Sequence, residues 1–427
     1  VRVFTLVSLG LAVLTGPLAA GPYSKGKGGG ANAFDEPIPG FIGPAGAGKA
    51  PYGTNNLANY VNPAFKAWAT RVESYAPADD IPWEDNPPGD WFNPTRALGP
   101  VTGSNVDTVS LNDLDEEDIV AGKAPGRITL GFAVPIYNGP GADFAVFENA
   151  FSGNAEATLV FAELGYVEVS SDGTHFARFP AEYGNTGTHR VEEPYKFQDP
   201  TTIRNLAGKH LCGYGEAWGT PFDLAQLALD PLVTGGQVDL AAIRYVRIVD
   251  IPGSGDWLDA AGNRIYDSWV TVGSGGVDLE AIGVLNQQRP YAEWAREAFA
   301  LGPDAPPPDP AADADGDGRP NAQEFAERTD PLVADPPDTT LAPPGLVTVE
   351  GGGQALQMQF WKDPSAALAF SPRVCETLGD WRETGLGLVV EPVPGAAAGP
   401  HGEQLWRARV PAGEGSRFLS LELEVGP

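Results

Sequence analysis

Apolar and polar residues alternate with a period of two in many short runs of this chain. Ile128, Leu130, Phe132 and Val134 alternate with Thr129, Gly131 and Ala133, the pattern of a strand with one buried face. The stretch 143–148 follows the turn Asn138-Gly139-Pro140-Gly141 and predicts a second strand. Stretches 166–170 and 176–179 flank Ser171-Asp172-Gly173-Thr174, which predicts a hairpin. Stretches 244–249 and 277–282 predict two more strands. Near the other end, 346–350, 356–361, 405–410 and 417–425 repeat the alternation, with Leu419, Leu421, Leu423 and Val425 set against Ser420, Glu422 and Glu424. Helical spacing is rarer. It predicts helices over 63–73 and 222–228, and over 290–301, where Tyr291, Trp294, Ala295 and Phe299 share one face. Pro-rich spans at 303–310 and 331–344 separate the two groups of strands. The expected fold class is all-β: a jelly-roll-like β-sandwich over 35–288, a linker over 289–342 holding a helix and an acidic loop, and a smaller C-terminal β-sandwich over 343–427.

The N-terminal pattern differs in kind. Arg2 precedes a mostly apolar stretch from Phe4 to Leu14, and Ala19, Ala20 and Gly21 follow. This is the layout of a secretory signal peptide over 1–20, too short to span a bilayer as a helix. Val1 is what a GTG start read literally gives, which suggests a bacterial gene. Residues 21–34, rich in Gly, Lys and Ser, read as a flexible leader. No later apolar run reaches the ~18 residues of a membrane helix, so a secreted or cell-surface protein without a transmembrane segment is expected.

Composition narrows the classes further. Lys and Arg number 27 against 56 Asp and Glu, for a net charge of −29, which argues against a nucleic-acid partner and a polybasic membrane contact. The 54 glycines and 41 prolines accompany 42% hydrophobic residues; that fits a loop-rich folded chain rather than a disordered one. Cys212 and Cys375 are the two cysteines, too few for a disulfide framework, and a bridge between them needs close Cα atoms. The four histidines show no zinc spacing.

One motif carries sharp chemistry. Asp313-Ala314-Asp315-Gly316-Asp317-Gly318-Arg319-Pro320-Asn321-Ala322-Gln323-Glu324 fits the calcium-loop pattern D-x-[DN]-x-[DN]-G-x5-E at every defined position. Ca²⁺ takes about 6–8 hard oxygens at ~2.3–2.6 Å. Asp313, Asp315 and Asp317 supply carboxylates from one turn, Gly318 permits the bend, and Arg319 offers its main-chain carbonyl. Asn321 is placed to hold a ligand water, and Glu324 closes the site from the first turn of the exiting helix. The Pro-rich span before Asp313 leaves no entering helix, so the expected role is to clamp a linker.

Other patterns are weaker. Gly43-Pro44-Ala45-Gly46-Ala47-Gly48-Lys49-Ala50 imitates a phosphate-binding loop but ends on Ala50, without the hydroxyl that holds Mg²⁺. No G-x-S-x-G or H-E-x-x-H motif occurs. Asp143, Glu148, Asn149, Asp250, Asp256, Asp267 and Asp278 sit near expected strand ends, where they serve as turn formers and caps or build a second cation site. Trp218 and Trp257 lie in Gly/Pro/Asp-rich stretches and are the candidate platform for stacking on a sugar.

Several segments carry a resemblance. Asn62-Pro63-Ala64-Phe65-Lys66-Ala67-Trp68-Ala69, Ala97-Leu98-Gly99-Pro100, the stretch 139–149, Val167-Glu168-Val169-Ser170-Ser171-Asp172-Gly173 and Gly275-Gly276-Val277-Asp278-Leu279 resemble a family of exported bacterial cell-surface proteins, some with PEP-CTERM sorting tails. The strand pairs also resemble galactose-binding-like jelly rolls. The acidic loop is similar to the single loops of dockerins and thrombospondin type 3 repeats. The helix, loop and terminal sandwich together resemble tails of secreted planctomycete and verrucomicrobial proteins. No apolar sorting tail follows Val425, so release is expected as readily as anchoring. The resemblance implies no catalytic residue. The function expected is non-catalytic, calcium-binding adhesion to an extracellular glycan or envelope component. A glycan-active hydrolase using a carboxylate pair and a structural envelope component are the alternatives.

Overall fold

The computed structural model describes residues 64–78, 91–153, 159–184, 194–215, 218–271, 273–336, 345–349, 352–377, 380–393, 395–399, 403–413 and 417–425, with the pairs 26–27 and 33–34. The signal-peptide stretch and the loop at 43–50 lie outside the described residues.

The larger module is built from β1 (Ala67–Trp68), β2 (Arg71–Ala76), β3 (Val109–Ser110), β4 (Arg127–Ile136), β5 (Phe144–Glu148), β6 (Gly165–Ser170), β7 (Ala177–Arg178), β8 (Thr220–Phe222), β9 (Ile243–Asp250) and β10 (Asp278–Val284). One sheet runs β7-β6-β9-β4-β2 and a second β8-β5-β10-β1, with β3 also on β10; every pairing is antiparallel. Alternation decides how the sheets meet. Ile128, Leu130 and Phe132 of β4, Val246 and Ile248 of β9, Phe144 and Val146 of β5, and Ile282 and Val284 of β10 share one buried core. Phe144 stacks on Phe222 at 5.4 Å in its middle. The helices here are short: α1 (Glu116–Val120) and α2 (Pro231–Thr234).

Two expected helices are corrected. Over 63–73 the chain forms β1 and β2 instead. The Lys66 and Ala69 N–H groups donate to Val284 and Ile282 of the second sheet, whereas Thr70 donates to Gly131 of the first. The chain therefore crosses between sheets at this point, and the i, i+3 spacing of Phe65 and Trp68 reflects that bend. Over 222–228 a 3₁₀ turn, Leu224–Leu227, stands where a helix was expected.

Beyond Leu285, helix α3 (Tyr291–Ala298) and helix α4 (Asn321–Glu327) follow. They are followed by β11 (Gly345–Thr348), β12 (Gln354–Lys362), β13 (Leu368–Cys375), β14 (Val389–Pro392), β15 (Gln404–Pro411) and β16 (Phe418–Val425). Strands β11-β12-β15-β14 form one sheet, and β13 pairs with β16 over eight residues. The helices do not hang free in a linker. Tyr291, Trp294 and Phe325 pack with Ala366, Leu368, Phe370, Leu423 and Val425, so the span expected as a linker is docked on the C-terminal strands. No helix among the described residues is long and apolar enough to cross a membrane.

Candidate functional site

The acidic loop is shaped by its own carboxylates. Asp313 Oδ1 accepts from the Gly316 N–H at 2.7 Å and Oδ2 from the Gly318 N–H at 2.9 Å. Asp315 Oδ1 accepts from Asp317 N–H at 3.1 Å, and Asp317 Oδ1 from Arg319 N–H at 2.8 Å. These overlapping Asx turns coil the backbone inward. Gly318 permits the coil because its φ of +96° is a region that side chains with a Cβ avoid. One oxygen of each of Asp313, Asp315 and Asp317 lies within 4.8 Å of the others.

Glu324, on the first turn of α4, is fully buried, and neither of its carboxylate oxygens has a partner. Burial first, then the charges of Asp315 and Asp317, push its carboxyl up to about 7. Asp315 Oδ2 is buried without a partner as well. Oxygen donors of this kind could hold a hard divalent cation.

Arg319 adds something the pattern did not show. Its guanidinium reaches Asp317 at 3.0 Å, Glu327 at 3.1 Å and Asp335 at 3.3 Å. It therefore fastens the loop to the end of α4 and to the segment beyond. Asn321, expected to hold a water, is buried and donates its amide to the Asp309 carbonyl at 3.0 Å. That bond ties the loop to the incoming chain, while its side-chain oxygen is buried without a partner.

Trp218 and Trp257, expected as a sugar platform, lie in the larger module. Both are half-buried against the cluster around Leu164, Tyr166 and Ile265, and the Trp218 indole nitrogen is shut off from solvent. Exposed rings occur elsewhere. Phe151 stacks on Phe161 at 4.7 Å, and Tyr195, Phe197 and Tyr214 pack around this pair. Tyr195 is 73% and Tyr214 58% exposed, so the patch faces solvent. Sequence reading missed it because four separate segments supply the five rings.

A second acidic group lies in the interior of the larger module. Glu148, Asn149, Asp250, Asp267 and Asp278 come together there, joined by Asp113 and Glu163, which no sequence pattern singles out; all are buried. Asp143 and Asp256 stay apart. Asp143 accepts from Gly139, Leu224 and Asn286, and Asp256 accepts from Ser254.

Four of the interior carboxylates are held mainly through one oxygen. Glu148 Oε2 accepts from Ala150 N–H at 3.0 Å, Asp250 Oδ1 from Val277 N–H at 2.8 Å, Asp267 Oδ2 from Leu164 N–H at 2.7 Å and Asp278 Oδ2 from the Asn149 amide at 3.0 Å. Asp113 uses both oxygens, accepting from Leu114 and Thr271. The approach is close: a Cβ on Gly208 would sit 2.3 Å from the Glu163 carbonyl oxygen and 3.2 Å from Glu148 Oε2. Burial is the main cause that pushes Asp113 and Asp278 up to about 7 and Glu148, Glu163, Asp250 and Asp267 well above the ordinary carboxylate range.

Compared with protein-family models and with curated proteins, the chain matches none.

Proposed function

We propose that this chain is an exported, non-catalytic β-sandwich protein, jelly-roll-like over 35–288, that uses calcium to clamp the span between its two modules and adheres to an extracellular glycan or envelope component. The observation that carries the reading is the acidic loop: three carboxylates within 4.8 Å, closed by Glu324, whose buried oxygens have no partner. Asp313, Asp315, Asp317 and Glu324 would hold Ca²⁺, with the Arg319 carbonyl as a further ligand. Asn321 serves this reading by fixing the loop entrance. The bound ion supplies positive charge at the junction of the docked helices with the C-terminal strands, so its role is structural.

The adhesive face of this reading is the ring patch at Tyr195, Phe197 and Tyr214 rather than Trp218 and Trp257. Flat exposed rings suit stacking on the apolar face of a sugar, at about 1–3 kcal/mol per ring on the scale known for bases. A hydrolytic role for the interior acids is disfavoured by their burial, which keeps them from a sugar chain.

Titration calorimetry tests the metal. Wild type is expected to take up Ca²⁺ at the loop with Kd at or below about 10⁻⁴ M, and the variant carrying Asp315→Asn and Glu324→Gln is expected to lose that binding event. Equal uptake by both proteins would refute the site. A glycan array then tests the face, with Tyr195→Ala and Tyr214→Ala expected to lose whatever signal wild type gives.

A further inference from the structure

The interior acids of the larger module pose a charge problem that their hydrogen bonds do not solve. Glu148, Glu163, Asp250, Asp267 and Asp278 are each more than nine-tenths buried. In each, one oxygen has no hydrogen-bond partner: Oε1 of Glu148 and Glu163, Oδ2 of Asp250, and Oδ1 of Asp267 and Asp278. The groups lie near enough to repel one another. Glu148 feels Asp278 and Asp267, Glu163 feels Asp278, Glu148 and Asp113, and Asp250 feels Asp113 and Asp267. Lys196 is one positive side chain that acts on the group, through Asp267, and its ammonium donates to the Tyr266 carbonyl at 2.8 Å; Lys209, beside Gly208, is buried and donates to the Ile203 carbonyl at 2.9 Å.

Two states could relieve the repulsion. In the first the acids are protonated. A buried neutral carboxyl needs an acceptor for its O–H, and a neighbouring carboxylate that accepts it keeps its own charge. In the second, cations occupy spaces between the carboxylates, which gives free oxygens a ligand and offsets the charge.

We propose that the interior bounded by Glu148, Glu163, Asp250, Asp267 and Asp278 binds at least one hard divalent cation, Ca²⁺ before Mg²⁺, independently of the loop at 313–324. The donors are oxygens, which selects hard ions. Asp313, Asp315 and Asp317 form the group of three acids that meets within 4.8 Å among the described residues; the interior acids are spread more widely. An ion there would draw on fewer than three of these carboxylates at once and would be completed by amide, main-chain or water oxygens. Ca²⁺ tolerates such an irregular shell, whereas Mg²⁺ demands a compact octahedron.

The test uses the full chain carrying Asp315→Asn and Glu324→Gln, so that the loop no longer contributes. After chelation, return of Ca²⁺ and desalting, elemental analysis is expected to find at least one Ca²⁺ per chain, and Ca²⁺ is expected to raise the melting temperature. Adding Asp267→Asn and Glu163→Gln is expected to abolish both effects. Should that variant fail to fold, terbium decides on the loop-disabled chain alone. Trp269, whose indole donates to the Leu114 carbonyl at 2.7 Å next to Asp113, is expected to sensitise Tb³⁺ emission that Ca²⁺ displaces. A loop-disabled chain that retains no Ca²⁺, gives no sensitised emission and melts identically with and without the ion would overturn the proposal and leave the acids protonated. Loss of calcium from wild type relative to this variant reports on the loop alone, so failures of the two sites are distinguishable.

Discussion

Asp172 shows how much one side chain can organise. Its Oδ1 accepts from the N–H groups of Thr174 and His175 at 2.7 and 2.8 Å, and its Oδ2 meets the His175 ring at 2.7 Å. The His175 ring, followed by those N–H groups, holds the carboxyl well below its usual range. The folded value being depressed, the support is present above the ordinary ~3.9 and is lost as pH falls through the lower folded value. Amide exchange at Thr174 and His175 is expected to quicken in that acid window, and in Asp172→Ala at every pH; unchanged rates would remove the carboxylate from the turn. This turn was legible because Ser171-Asp172-Gly173-Thr174 is local chemistry. The same holds for Asp313, Asp315, Asp317 and Glu324, whose spacing is their geometry. Asp113 and Glu163 were illegible for the opposite reason. Their neighbours Asp250, Asp267 and Asp278 lie far along the chain, and only the completed pairing of strands brings them together.

Among the elements, α4 joins the acidic loop to a hydrophobic contact. Phe325 follows Glu324 and packs on Trp294 at 5.2 Å and Tyr291 at 5.7 Å. The Ala326 carbonyl accepts from Asp363 N–H at 3.1 Å, and Arg328 pairs with the Asp363 carboxylate. The orientation of Glu324 therefore depends on a helix seated by aromatic packing. Phe325→Ala is expected to destabilise the C-terminal module by about 3–5 kcal/mol, the usual range for a buried Phe, and to weaken calcium uptake although no ligand is altered. Chemical denaturation and calorimetry on the same preparation check both; weakened stability with unchanged uptake would uncouple packing from the site. Helix α3 was readable because Tyr291, Trp294, Ala295 and Phe299 keep one stripe over two turns. The strands Ala67–Trp68 and Arg71–Ala76 were misread because a bend between two sheets mimics that stripe for a single turn.

Across the whole molecule, two modules meet at a polar seam. Lys362 reaches Asp239 at 3.4 Å, and the Gln288 amide donates to Ala241 at 2.6 Å and Pro364 at 3.3 Å. Partly exposed contacts of this kind contribute little each; main-chain bonds add to the join, Arg289 N–H donating to the Ser365 carbonyl at 2.6 Å and Ala367 N–H to the Arg289 carbonyl at 2.9 Å. On chelation, proteolysis is expected to begin within 313–336, ahead of the paired strands of either module; first cuts inside 127–136 or 243–250 would contradict this order.

The two cysteines, one in each module, are both buried and unpaired. Cys212 donates to Glu280 Oε2 at 2.8 Å, and burial, with the charge of Glu280, pushes its thiol well above its usual value. While the fold is closed, the thiol is withheld from oxidants, because the thiolate is the reactive form. Each opening of a module uncovers its own sulfur, and oxidation beyond the sulfenic acid does not reverse spontaneously. Outside the cell, each thiol would then act as a ratchet that converts a rare fluctuation into permanent loss. Working lifetime would be set by how often a module opens and no longer by its equilibrium stability. Maleimide labelling should accordingly give two separate clocks, with Cys212 and Cys375 reacting at the opening rates of their own modules and chelation hastening Cys375 first.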